Sequence, residues 1–150
     1  MPQFARPTED RDNSGAFTTH AGAPAPLYEQ IDEAIASDAD FIQSPEDPTD
    51  AVYVTRLTAV TNPESAAGHV LSVRARGRVA IGGAPVDLVA ELRLDYVDES
   101  DRGTLICTLT QASVGAAFTT YTHTLSETEA NLITDYAALF LRVVAATGGA

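Results

Sequence analysis

The sequence contains no lysine and no tryptophan, and its single cysteine, Cys107, excludes an internal disulfide. Cys107 lies between Leu105 and Leu109 in an alternating pattern, which predicts a small buried apolar residue with Leu105 and Leu109 on the same inward face. No apolar run approaches the roughly 18 residues of a membrane-spanning helix. Residues 1–12 lack the apolar centre of a secretory signal. These absences predict a protein that is made in the cytoplasm and does not enter a membrane.

The charge of the chain is one-sided. Its 150 residues include 21 acids and nine basic residues, all of them arginine, for a net charge of −12. Such a surface repels phosphate, so we expect no direct contact with nucleic acid. An acid-rich, lysine-free composition resembles that of proteins from extreme halophiles. A GC-rich genome would also favour arginine over lysine, and the composition fits both explanations.

Recognisable motifs of catalysis and cofactor binding are absent from the sequence. The three histidines, His20, His69 and His123, lack the spacing of a zinc site. There is no GxSxG, Walker or GxGxxG motif. The acidic loop at residues 98–103 does not follow the EF-hand pattern for calcium. We therefore expect a protein that is not an enzyme and has no cofactor and no metal.

Residues 69–96 show the clearest strand pattern and are predicted to form two strands joined at Gly82-Gly83. Apolar residues alternate with three arginines in the first strand and with three acids in the second. Because side chains alternate across a strand, this pattern indicates two half-buried strands, and the glycines predict an antiparallel hairpin.

The predicted hairpin places the arginines opposite acids. In one register Arg74 lies near Glu91 and Arg78 near Asp87. A longer turn would shift the register by two residues and pair Arg76 with Glu91 instead. Two interpretations of the arginine stripe follow. It is either a patch for an anionic polymer or an ordinary strand exterior neutralised by its neighbour. The facing acids favour the second.

Other short strand patterns complete the predicted fold. They occupy residues 38–42, 51–60, 104–110, 116–124 and 139–144. Ser126 and Glu129 form a capping-box sequence, which predicts one short helix near 127–134. Seven or eight short strands without a βαβ rhythm predict an all-β fold, an antiparallel two-sheet sandwich of jelly-roll or immunoglobulin-like topology.

Residues 1–26 contain four prolines and no helix or strand period. We interpret them as an extended N-terminal arm ahead of a single sandwich domain at residues 27–150. Such an arm is either a disordered tail or a segment that becomes ordered on a partner. The candidate partner-binding residues in and beside it are Phe4, Arg6, Arg11, Phe17, Leu27 and Tyr28.

Three groups of residues together resemble a family of small proteins encoded among the structural genes of tailed double-stranded DNA viruses. They are 27–34 with 38–44, then 68–79 with 86–89, and last 119–124 with 133–136 and 139–142. The resemblance extends over about residues 27–145. It implies a β-sandwich virion component, in particular a capsid decoration or cement protein, with no catalytic residues. The lysine-free, acidic composition departs from the family and fits a virus of a halophilic host.

The resemblance implies partners and a location. A decoration protein binds the major capsid protein and neighbouring virion proteins on the capsid surface, and the arm would lie over adjacent subunits. Self-association, for example as a trimer, would suit a symmetric lattice. The alternatives are a head–tail connector or tail component, and a carbohydrate-binding module for host attachment. Tyr136 is either a tyrosine-corner residue that ties a loop to the backbone or a surface aromatic for a sugar.

Overall fold

The computed structural model describes residues 2–77 and 83–148, and these residues form an all-β fold with one short α-helix. Its strands are β1 (Pro7–Asp12), β2 (Thr18–Thr19), β3 (Ile42–Gln43), β4 (Ala51–Leu57), β5 (Val70–Ala75), β6 (Val86–Leu94), β7 (Thr104–Gln111), β8 (Thr119–Thr124) and β9 (Leu139–Thr147). The helix α1 spans Glu127–Ala130, and a 3₁₀ turn spans Tyr28–Gln30. The prediction of an all-β sandwich is confirmed.

The main layer is a five-stranded sheet in the order β1-β4-β9-β6-β7, in which every neighbouring pair is antiparallel. Strand β9 lies at its centre because it is apolar on both faces, apart from Arg142 and its last residue, Thr147. The inner face is covered by two small sheets, β5-β8 and β2-β3. Leu71 of β5 packs there against Leu92 and Leu139, and Phe17 packs against Tyr53. The two layers of a sandwich are thus present.

The predicted hairpin at residues 69–96 is wrong, because β5 pairs with β8 while β6 pairs with β7 and β9. Arg74 accordingly lies opposite Thr120 and not near Glu91. An alternating strand specifies which face is buried, but it does not specify which other strand supplies the backbone partners. The predicted pair of Arg78 with Asp87 is not tested, because Arg78 lies outside the described residues.

The predicted separation of the N-terminal arm from the body is also wrong. Strand β1 is an edge of the main sheet and pairs with β4 from Pro7, opposite Leu57, to Asp12, opposite Val54, with two register shifts. An edge strand contributes only one row of backbone hydrogen bonds, and natural edges often carry proline and charge. Its sequence, PTEDRD, therefore lacks the apolar alternation on which strand prediction depends.

Two local predictions are confirmed. Ser126 accepts a hydrogen bond from the Glu129 amide at 3.2 Å, and the Glu129 carboxylate accepts one from the Ser126 amide at 2.7 Å, which completes the capping box. The helix is shorter than expected and ends at Ala130. Cys107 is buried with 3% exposure. Its neighbour Leu105, expected beside it on the inner face, is 42% exposed.

Candidate binding site at the mouth of the inter-sheet cleft

A cleft of about 1630 Å³ lies between the main sheet and the segments that cover it. Apolar side chains of β6 and β9, among them Leu88, Leu141 and Val143, line its floor. Strand β5 forms one wall, and the loop at residues 30–48 forms another. The small sheets leave part of the inner face uncovered, and the cleft occupies that part.

Two arginines and three rings meet at one end of this cleft, and we call them the arginine–aromatic cluster: Arg74, Arg76, His20, Phe41 and Phe118. The guanidinium carbon of Arg76 lies 4.7 Å from the ring centre of Phe118 and 5.3 Å from that of Phe41. The two phenylalanine rings are tilted, with centres 5.6 Å apart. An exposed cation–π contact stabilises by about 0.5–1 kcal/mol, so the two rings hold the guanidinium in place.

Strand pairing brings the cluster together. Arg74 projects from the outer side of β5, and Arg76, two residues further on, follows just beyond its last residue, Ala75. Ala75 pairs with Thr119, so the next residues, Arg76 and Phe118, meet just beyond the ends of the strands. Phe41 is fixed separately, because its carbonyl accepts a hydrogen bond from the His20 amide at 3.0 Å where β2 meets β3.

The two arginines of the cluster differ in how their charge is used. Arg74 donates to both oxygens of Asp38, at 2.6 and 2.7 Å. These hydrogen bonds hold the pKa of Asp38 below its usual range. Arg76 is exposed and makes no hydrogen bond or ion pair with any residue that the structure describes. Its planar set of N–H donors suits a carboxylate, which can accept two of them at once.

The predicted partner-binding residues do not form one surface. Phe4 is 66% exposed, and the Arg6 guanidinium lies 5.5 Å from its ring centre. Arg11 is exposed and lines a separate shallow pocket with Glu9 and Arg56. Only Phe4 and Arg6 are therefore brought together at the surface.

The remaining predicted partner residues lie inside the protein or against it. Phe17 and Leu27 are buried, with 5% and 0% exposure. The amides of Leu27 and Tyr28 both donate to the carboxylate of Asp10, at 2.7 and 2.8 Å. Asp10 also accepts a hydrogen bond from the hydroxyl of Tyr53 at 2.6 Å. These residues fasten the N-terminal part of the chain to the body.

Sequence reasoning identified Arg74 and Arg76 as a stripe but missed the rest of the cluster. Phe41 and Phe118 come from loops 77 positions apart in the sequence, since 118 − 41 = 77. The sequence did indicate the threonine-rich strand after Phe118. It did not indicate that this strand pairs with β5, and that pairing places the Phe118 ring beside Arg76. Glu91, which was expected to neutralise Arg74, lies on the main sheet, and the acid that binds Arg74 is Asp38, which was not predicted.

A second polar group lies on the opposite face of the main sheet. Glu99 accepts two hydrogen bonds from Arg142, both at 2.8 Å, and Glu91 accepts from Arg142 at 3.2 Å and from Arg93 at 2.7 Å. The bonds from Arg142 lower the pKa of Glu99 to about 2. Arg93 and Arg142 are 9% and 6% exposed. Each charge is satisfied internally, so this network stabilises the fold and leaves little for a ligand.

Tyr136 does not act as the predicted tyrosine corner. Its hydroxyl lies 2.8 Å from Nε2 of His69, which is a side-chain contact and not one to the backbone. The two rings are 5.8 Å apart at their centres. Tyr136 thus joins the loop before β9 to the start of β5.

Within residues 2–77 and 83–148, no three His, Cys, Asp or Glu side chains are grouped closely enough to bind a metal ion. None of the helices in these ranges is long and apolar enough to cross a membrane. Comparison of the chain with protein-family models, with curated proteins and with solved structures gave no match.

Proposed function

We propose that this chain is a non-enzymatic virion structural protein that decorates the capsid of a tailed double-stranded DNA virus, at the capsid surface. It would bind the major capsid protein lattice and neighbouring virion proteins. A halophilic host would account for the net charge of −12 and the absence of lysine.

The observation that supports this proposal is the clustering of the three groups of residues that resemble the virion family. Residues 70–75 of the second group pair with 119–124 of the third. Asp38 of the first group binds Arg74 of the second, and His69 contacts Tyr136 of the third. Parts of the three groups that are remote in sequence therefore lie in contact with one another.

The N-terminal end offers one exposed apolar contact for the capsid. Phe4 is exposed, and the chain around it is held on the body by paired hydrogen bonds between Gln3 and Thr61, at 3.0 and 2.8 Å. Many weak contacts of this size would suffice for a lattice-bound protein if each copy engages more than one neighbour. We infer that residues 2–6 contribute to capsid contact, while β1 and Phe17 serve the fold.

The direct test is the copy number of the protein in purified particles, measured by quantitative mass spectrometry. Decoration predicts on the order of hundreds of copies, whereas a connector ring would have about six or twelve. Phe4→Ser, which changes only an exposed side chain, should fold normally and decorate less. Deleting residues 1–26 would not test the same point, because it removes an edge strand and the buried Phe17. Absence of the protein from particles would refute the proposal.

A carbohydrate-binding module for host attachment is the second candidate, because half-buried Phe41 and Phe118 lie at the mouth of a large cleft. Sugars bind proteins by stacking on open aromatic faces. Here the guanidinium of Arg76 already lies over both rings, which weakens this candidate. A glycan array at high protein concentration separates the two, since only the second candidate predicts binding. Self-association as a trimer is a further expectation, which light scattering would test.

A further inference from the structure

We propose that the arginine–aromatic cluster is a docking site for a carboxylate side chain of a protein partner, with Arg76 as the residue that receives it. The proposal rests on the proposed function in one respect: the partner would be the capsid subunit. The nature of the site itself, an arginine held ready for a carboxylate, follows from the contacts of Arg76 and of its neighbours.

Four arginines of the chain are bound to acids. Arg93, Arg102 and Arg142 all bind Glu91 or Glu99, and Arg74 binds Asp38. Arg76 remains without an acidic partner among the described residues, although acids outnumber basic residues 21 to nine. Arg6, Arg11 and Arg56 also form no ion pair among these residues, and Arg76 differs from them because its guanidinium lies over two rings.

The side chain of Arg76 is preorganised for binding. A free arginine side chain must give up rotamer freedom to bind, which weakens binding. Contact with Phe118 and Phe41 already restricts the Arg76 side chain, and Arg74 and Asp38 lie beside it. Stacking occupies the face of a guanidinium and leaves its N–H edge available in the plane. A carboxylate meets that edge with two parallel hydrogen bonds.

The site suits the carboxylate of a protein side chain better than that of an acidic sugar. A uronate would need ring faces for stacking as well as the guanidinium, and Arg76 covers a face of both Phe41 and Phe118. An aspartate or glutamate side chain needs only the N–H edge. The threonines along β8, such as Thr120 and Thr122, offer hydroxyl groups on the same outer face for the partner's backbone. These features favour a peptide carboxylate.

The site is tested with the full chain by NMR titration. The probes are a blocked tri-glutamate peptide, a blocked tri-glutamine peptide and tri-galacturonate. We expect tri-glutamate to shift the Nε–H signal of Arg76 and the amide of Gly77, and tri-glutamine to shift neither. Arg76→Gln should weaken tri-glutamate binding about three- to tenfold, and Arg76→Lys should weaken it less. Added salt should weaken it too.

Arg56→Gln is the matched control, since Arg56 is exposed but lies outside the cleft and donates to the Ala137 carbonyl. It should bind tri-glutamate as the wild type does, and a thermal melt should show all variants folded. Equal binding by Arg76→Gln and the wild type would overturn the proposal. Tighter binding of tri-galacturonate than of tri-glutamate would overturn the choice of a protein partner.

A second experiment measures the copy number of variants in virus particles. Particles carrying Arg76→Glu should contain fewer copies of the protein than particles carrying Arg56→Glu. Equal copy numbers, with the wild type present in particles, would overturn the capsid subunit as the partner. If the wild type is absent from particles, the proposed function fails, and the peptide titration still decides whether Arg76 binds carboxylates.

Discussion

Replacement of Glu99 by glutamine should measure how far the network on the outer face of the main sheet stabilises the fold. Glu99 accepts two hydrogen bonds from Arg142, one from Tyr96 at 3.0 Å, and lies 2.9 Å from Arg102. Glutamine keeps the shape of the side chain but loses its charge. The Arg142 guanidinium, with its side chain 7% exposed, would then retain only Glu91 as an acidic partner.

The magnitude follows from the pKa of Glu99. Hydrogen bonding to Arg142 holds it at about 2, against 4.5 for an unperturbed glutamate. At about 1.36 kcal/mol per pKa unit, this difference corresponds to about 3 kcal/mol in the free energy of unfolding at neutral pH. The Glu99 side chain is 25% exposed, so solvent screening reduces the figure. We expect Glu99→Gln to lower the free energy of unfolding by about 2 kcal/mol.

The pH dependence has a definite sign. The pKa of Glu99 is lower in the folded than in the unfolded protein, so its contribution is complete well above pH 4.5 and is lost as the pH falls toward 2. Urea denaturation of the wild type and of Glu99→Gln should therefore differ most at pH 7. The difference between the two should shrink as the pH falls toward 2, because the wild-type carboxyl becomes protonated over that range.

The control is Glu46→Gln, which removes an acid from an exposed position. It should change the free energy of unfolding by less than about 0.5 kcal/mol at every pH. If Glu99→Gln behaves like this control at pH 7, the outer network does not stabilise the fold and the argument from pKa is wrong. A difference between wild type and Glu99→Gln that is the same at pH 7 and pH 2 would refute the linkage to ionisation.

Three further predictions concern backbone geometry, the attachment of the N-terminal strand and the cysteine. Gly103 and Gly22 both have positive φ, but only at Gly103 would a Cβ overlap backbone atoms. An alanine at Gly22 should cost about 1–2 kcal/mol and one at Gly103 more, and equal melting temperatures would contradict this. Asp10→Ala, which leaves the Tyr53 hydroxyl and two amides without their acceptor, should cost about 3 kcal/mol in urea denaturation; a loss below about 1 kcal/mol would contradict it. Burial raises the pKa of Cys107 to about 11, so iodoacetamide should label it only in denaturant. Labelling of the native protein would contradict its burial.

The parts of the fold that the sequence predicted well are those set by local chemistry. The capping box at Ser126 and Glu129 needs only neighbouring residues, and it forms as expected. Leu88, Leu92 and Leu94 of β6 lie on the buried face that their alternation indicated. These outcomes depend on periodicity and on hydrogen bonds within four residues, which a single sequence contains in full.

The parts that failed depend on contacts between distant residues. At Leu105 the alternation predicted an inward side chain, but Arg93 pairs with Leu105 and Leu92 with Cys107, so Ile106 is an extra residue in the ladder. This bulge turns Leu105 outward and leaves Ile106 buried at 3% exposure. The partner of a strand and the position of a bulge are set by the whole sheet, and no local pattern reveals them.

All basic residues of the chain are arginines, and the outer network and the candidate site both depend on the planar shape of the guanidinium group. In the outer network the planar guanidinium of Arg142 binds Glu99 through two donors and Glu91 through a third, which a lysine could not do with the same geometry. The same property lets Arg74 hold Asp38 with two bonds, and lets Arg76 stack on Phe118 while its N–H edge stays available. Genome composition or salt adaptation can explain why lysine is absent, but neither explains where the arginines lie. In the part of the chain that the structure describes, Arg142 and Arg74 are paired with acids, whereas Arg76 lies over two rings and forms no ion pair. That difference in environment is the reason to look for its acid on another molecule.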